Sequence, residues 1–148
     1  MDEANGIEVL MIEDSEEDLE LALRSFRKAN FIRRVYVVRD GAEALDFIFC
    51  EGRYASRRME DAPRVILLDL KLPKVDGLEV LQRIKSDPRT KRIPVVVLTS
   101  SKEHRDVVAS YEMGANSYIV KPVAFDGFAK AMQELGMYWL LLNNPPKM

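Results

Sequence analysis

An α/β protein built on a parallel sheet is the fold class this sequence predicts, and three observations predict it. Short β-prone apolar runs recur along the chain without polar alternation, as in strands covered on both faces. Stretches with helical periodicity stand between them, which implies βα units and right-handed crossovers. The runs also end on chemistry-bearing residues: Glu13 and Asp14, Asp69, Thr99 and Lys121.

In chain order, Ile7 to Ile12 is the first run, followed directly by Glu13 and Asp14. Ser15 is placed to cap a helix, with Asp18 three residues later in capping-box spacing. Leu19, Ala22, Leu23 and Phe26 then recur at helical spacing. Arg34 to Val38 is a second strand closed by the turn signal Asp40-Gly41. Ala44, Leu45, Ile48 and Phe49 stripe a second helix, and Glu51 to Pro63 reads as a long polar loop. Val65 to Asp69 is the central strand, stopped by Pro73 and Gly77. Leu78, Leu81 and Ile84 mark a third helix that must end near Pro88. Ile93 to Leu98 is a fourth strand, with Pro94 tolerable only at its beginning, and Thr99-Ser100-Ser101 at its end. Val107, Val108 and Tyr111 stripe a fourth helix terminated by Gly114. Ser117 to Val120 is the fifth strand, ended by Lys121-Pro122. Phe125, Phe128, Met132, Leu135, Trp139 and Leu142 stripe a final helix, and Asn143 to Pro146 reads as a frayed end.

Composition narrows the function classes. A chain of 148 residues with 47% hydrophobic and 31% charged content fits one globular domain, its core about 7–142. A net charge of -2 gives no electrostatic case for nucleic acid or an anionic membrane. Arg53, Arg57, Arg58 and Arg64 form a local basic group, read as a solvated loop or a docking surface for an acidic partner. The single cysteine, Cys50, excludes an internal disulfide and a cysteine metal cluster, and reads as a small buried hydrophobe in a helix. His104 is the sole histidine, expected exposed near a helix start. Neither a signal peptide nor a spanning apolar run is visible, so the expected location is the cytoplasm.

Parallel strands in a doubly wound order would bring Glu13, Asp14, Asp69, Thr99 and Lys121 to one sheet edge, where such sheets bind ligands. Three carboxylates brought together repel, so one is protonated or a cation neutralises them. All-oxygen ligation suits Mg²⁺, or Mn²⁺ in its place. Lys121 offers a mobile point charge for a phosphoryl oxygen and Thr99 a hydroxyl. Together these describe a phosphoryl-transfer site whose acceptor is a carboxylate.

The pattern Ile12-Glu13-Asp14, Leu68-Asp69-Leu70-Lys71-Leu72-Pro73 with Asp76-Gly77, Thr99-Ser100, Gly114-Ala115 and Tyr118-Ile119-Val120-Lys121-Pro122 resembles the receiver domain of two-component response regulators. The resemblance covers nearly the whole chain. It implies a flavodoxin-like fold of strand order 2-1-3-4-5, with Asp69 taking phosphate from the phosphohistidine of a sensor histidine kinase. It further implies Mg²⁺ held by Glu13, Asp14, Asp69 and the backbone carbonyl of Lys71. Thr99 and Lys121 would contact the phosphoryl group, Thr99 and Tyr118 would form a switch, and Lys121-Pro122 would be cis. The activity implied is signalling, with catalysis confined to the protein's own phosphorylation and dephosphorylation. Lys71 stands where the family often has Asn, and its ammonium is expected to tune hydrolysis.

The Gly52 to Pro63 loop, the Asp87-Pro88 to Ile93-Pro94 segment and Tyr138-Trp139-Leu140 resemble stand-alone regulators paired with bacterial and cyanobacterial phytochrome kinases. No effector domain is read in the sequence, so output would pass to a downstream protein or phosphotransfer partner. The face implied for it is the fourth helix, fifth strand and fifth helix. Met137, Tyr138, Leu140 and Leu141 make the end of the last helix apolar nearly all round, read as core extension or, preferably, a homodimer contact. An FMN-binding module is opposed by the acids at the rim, since a flavin phosphate needs donors. An aspartate phosphatase is opposed by Lys71, where a second acid is usual. A receiver-like adaptor that takes no phosphate is opposed by the complete acid, Thr and Lys set.

Overall fold

A computed structural model describes residues 8–31, 34–100 and 104–141, the side chains of 104–106 excepted. Ile7, Ser101, Leu142 and the 143–146 end lie outside the described residues, as does the side chain of His104. Five strands, β1 (Val9–Ile12), β2 (Val35–Val38), β3 (Val65–Asp69), β4 (Val95–Thr99) and β5 (Ser117–Val120), form one parallel sheet of order β2-β1-β3-β4-β5. The helices between and after them are α1 (Glu16–Lys28), α2 (Gly41–Ile48), α3 (Gly77–Ser86), α4 (His104–Glu112) and α5 (Phe125–Glu134). This is the flavodoxin-like arrangement that the sequence resemblance implies.

The sheet is buried on both faces, which is why its strands do not alternate. Leu10, Ile12, Ile66, Leu68, Val95 and Val97 pack toward α2 and α3. Val9, Met11, Val65, Leu67, Val96 and Leu98 pack toward Phe26 of α1 and Phe128 and Met132 of α5. At the lower rim, Lys85 of α3 donates to Lys91 O at 3.0 Å, Ile93 O at 2.7 Å and Asn116 Oδ1 at 2.9 Å. Asn116 is itself paired with Val95: its Oδ1 accepts from Val95 N and its N–H donates to Val95 O, both at 2.9 Å.

Four sequence readings need correction. The last helix does not run to residue 142: α5 stops at Glu134, and Gly136, with φ of 72°, turns the chain into a 3-10 segment, Tyr138–Leu141. The turn changes the phase of the apolar stripe, so Leu140 is fully buried while Trp139 is only partly buried and Tyr138 is exposed.

The 51–63 stretch is a mostly exposed loop, as read, but not one solvated throughout. Two short 3-10 segments, Gly52–Tyr54 and Met59–Asp61, carry Tyr54 and Arg57 inward, both buried. Arg57 therefore leaves the basic group. Arg53 pairs with Glu43, Arg58 with Glu60, and Arg64 stands over the Trp139 ring.

The apolar stripe read for α4 is not a buried one: Val108 and Tyr111 are exposed, Val107 is only partly buried and Ser110 is buried. Cys50 lies past the end of α2 with φ of 56°, its sulfur 3.5 Å from Arg57 Nη1.

Candidate functional site

Each rim residue is delivered by the end of a strand. Glu13 follows β1, with its N–H donating to Val38 O at 3.0 Å. Asp69 is the last residue of β3, Thr99 the last of β4, and Lys121 follows β5, its N–H donating to Thr99 O at 2.8 Å. After Asp69 the chain turns sharply, and Gly77 N–H closes the turn on Leu70 O at 3.1 Å. Only glycine fits there: a Cβ at position 77 would lie 2.4 Å from Asp69 O and 2.6 Å from Leu70 Cα.

The register brings the dispersed acids together. Ligand oxygens of Glu13, Asp14 and Asp69 all lie within 4.8 Å of one another. Glu13 and Asp69 are buried and Asp14 is exposed, so the cluster opens to solvent on one side. Lys121 Nζ reaches into it, donating to Glu13 Oε2 at 3.1 Å and Asp69 Oδ2 at 3.1 Å. A third bond goes to Asp18 Oδ2 at 2.9 Å. Lys71 contributes its backbone N–H to Asp69 Oδ1 at 3.2 Å, while its residue as a whole is exposed. Beside the cluster is a cavity of about 240 Å³, lined by Asp14, Asp69, Lys71, Thr99 and Lys121 among others. The Lys121–Pro122 peptide is cis. Thr99 is buried. Tyr118 is exposed on β5 and stands edge-on to Tyr111, ring centres 5.9 Å apart.

Three carboxylates share one ammonium here, and the electrostatics register it. Burial, followed by the neighbouring Asp69 carboxylate, pushes the Glu13 carboxyl up to about 7 against the opposing pull of Lys121. Burial alone would depress the Lys121 ammonium, but its bonds to Glu13 and Asp18 and the charge of Asp69 outweigh that and hold it above the usual lysine range. Glu13 Oε1 is sealed from water 2.9 Å from Lys121 Nζ, yet makes no hydrogen bond. The crowded carboxylate oxygens of Glu13, Asp14 and Asp69, open to solvent on the Asp14 side, fit a hard divalent cation.

Sequence reading missed Asp18. Its spacing from Ser15 pointed to a capping box, and half of one exists: Ser15 Oγ accepts from Asp18 N at 3.3 Å. The return bond to Ser15 N comes from Glu13 Oε2 at 3.2 Å instead, and the Asp18 carboxylate turns to Lys121. An acid one turn into the helix that follows Glu13-Asp14 was the available signal.

Comparison with known proteins places the chain among relatives. The model of the response regulator receiver domain matches residues 9–133. Response regulator Rcp1 of Synechocystis is 41% identical over 140 residues, covering 94% of this chain and 93% of that protein. The Mn²⁺-bound structure of Rcp1 superposes with a TM-score of 0.73, at 39% identity over 94% of this chain and 98% of that one. The bacteriophytochrome response regulator RtBRR gives a TM-score of 0.83 at 52% identity, over 95% of this chain and 84% of that one. The phosphorylated cyanobacterial phytochrome response regulator RcpA gives 0.74 at 39% identity, over 90% of this chain and 94% of that one. The acidic cluster and the Mn²⁺-bound relative are together consistent with divalent metal binding.

Proposed function

The chain belongs to the response regulator receiver domain family, and from that premise we propose that Asp69 accepts a phosphoryl group from the phosphohistidine of a sensor histidine kinase. The observation that carries this is the meeting of Glu13, Asp69 and Lys121 around one nitrogen, with contacts of 2.9–3.1 Å, from three separate strand ends. An Asp69 carboxylate oxygen attacks phosphorus, the bond from phosphorus to the donor's imidazole nitrogen breaks, and its electron pair stays on that ring. Lys121 offers the new phosphoryl oxygens the N–H that it now gives Asp69, and Thr99 presents its hydroxyl to them. Glu13, Asp14, Asp69 and the Lys71 carbonyl would hold Mg²⁺, which supplies the positive charge that offsets crowded anions during transfer. Lys71 is among the residues lining the cavity, and its ammonium tunes how fast water removes the phosphoryl group.

As a signalling protein the chain acts catalytically only on its own phosphorylation and dephosphorylation. Its single receiver unit, core about 7–142, works in the cytoplasm. The described helices include none long and apolar enough to cross a membrane. Signal leaves through the α4-β5-α5 face, where Thr99 and Tyr118 form the switch and Tyr118, Tyr111 and Val108 already lie exposed. The same face supports a homodimer and contact with a downstream protein or phosphotransfer partner. The likeness to RtBRR and RcpA, both phytochrome response regulators by name, favours a phytochrome-type kinase as the donor.

Incubation with acetyl phosphate and Mg²⁺ followed by intact mass tests the site. Wild type gains one phosphoryl group and Asp69→Asn none; equal labelling of both would overturn the reading.

A further inference from the structure

We propose that Asp18 is a positioning residue for phosphoryl transfer, the fixed anchor that holds the Lys121 ammonium at the acceptor. The inference rests on the function proposed for Asp69 and Lys121. An ammonium has three N–H bonds, and here each is matched to a different carboxylate: Glu13, Asp18 and Asp69. Two of those partners have a second task. Glu13 and Asp69 belong to the cluster whose oxygens can hold a metal ion, and Asp69 also receives the phosphoryl group. Asp18 is not in that cluster, so its bond to Lys121 survives both events.

The lysine stem is long and freely rotating, so its charge is accurate only where something fixes the tip. Asp18 can fix it because its own place is set by the backbone of the first turn of α1, where Ser15 Oγ caps its N–H. Its carboxylate is released from the local bond that its spacing invites, because Glu13 Oε2 takes the Ser15 N–H. With Nζ pinned by Asp18, the N–H that points at Asp69 Oδ2 is already aimed at the place where a phosphoryl oxygen arrives. Without that pin, the ammonium follows whichever anion is strongest at each stage.

The test uses the full chain as wild type, Asp18→Asn, Asp18→Glu and Asp69→Asn. In metal-free protein, NMR of the Lys121 ammonium should give an exchange-protected signal that Asp18→Asn loses. With acetyl phosphate at saturating Mg²⁺, Asp18→Asn should lower the maximal phosphorylation rate about tenfold, well inside the ~10²-fold that a 1 Å misplacement can cost. Its half-saturating Mg²⁺ concentration should stay at the wild-type value, and Asp18→Glu should recover part of the rate. The anchor is overturned if Asp18→Asn keeps the wild-type rate and ammonium signal. It is equally overturned if the loss appears only as weaker Mg²⁺ dependence, or only together with a lowered melting temperature. Labelling of Asp69→Asn would instead sink the acceptor assignment, whatever Asp18 does.

Discussion

The guanidinium carbon of Arg57 lies 3.8 Å from the centre of the Phe47 ring. Both residues are buried, Arg57 to 5% exposure and Phe47 completely. The same guanidinium donates to Phe47 O and, at 3.0 Å, to Asp61 O. The loop before β3 is thus nailed to α2 by one cation that covers an aromatic face while satisfying backbone carbonyls. Tyr54 adds a second attachment, donating to Glu43 Oε2 at 2.6 Å and lying 3.0 Å from Tyr36 Oη.

Arg57→Ala should therefore destabilise the protein by about 2–4 kcal/mol, from a desolvated cation–π contact and lost charge-assisted bonds. Arg57→Lys should recover little of it, since a lysine lacks the planar fork. Urea denaturation of the three proteins measures both.

Lys85 gives a pH-dependent prediction. Burial depresses its ammonium below the usual lysine range, so the folded state releases that proton before the unfolded chain does. Where the unfolded chain holds more protons, stability rises with pH. Between the folded pKa and the unfolded value of 10.5, wild type should gain stability relative to Lys85→Met. Denaturation midpoints of the two proteins across that alkaline window check the sign; a difference that stays flat or falls contradicts it.

Gly77→Ala should damage stability and site together. The added Cβ meets only backbone within its nearest contacts, at 2.4–2.6 Å, so the turn must shift rather than a side chain. An overpacking cost of about 1–3 kcal/mol is expected. Phosphorylation from acetyl phosphate should fall in the fraction that stays folded, because the carbonyl pushed aside belongs to Asp69.

Metal should stabilise the fold by mass action. At Mg²⁺ one hundred times its dissociation constant, about 2.7 kcal/mol is expected, read as a raised melting temperature that a chelator reverses. Glu13→Gln should blunt that rise. The same variant without metal should lose less stability than removal of an ordinary buried charge, since it deletes one of several crowded anions.

The sheet was legible because covered strands write continuous apolar runs, and the rim was legible because acid, hydroxyl and amine stand at their ends. Packing decided what was not. Periodicity from Phe125 continues through Leu135 and Trp139, yet the backbone turns at Gly136 and buries Leu140. A local stripe does not know where its helix stops, and Gly136 was the only warning. Arg57 looked like its neighbours Arg53 and Arg58, and nothing local announces that Phe47, ten residues earlier, waits beneath it. Asp18 offered a local role that the chain declined for a partner 103 residues away.

Lys85 also acts as a clamp. It ties the segments that enter β4 and β5 at the rim remote from the acids, where Asn116 and Val95 are already joined. Sliding β4 along β5 would have to break these bonds together, so the pair is held in register from the end of the sheet opposite the acids.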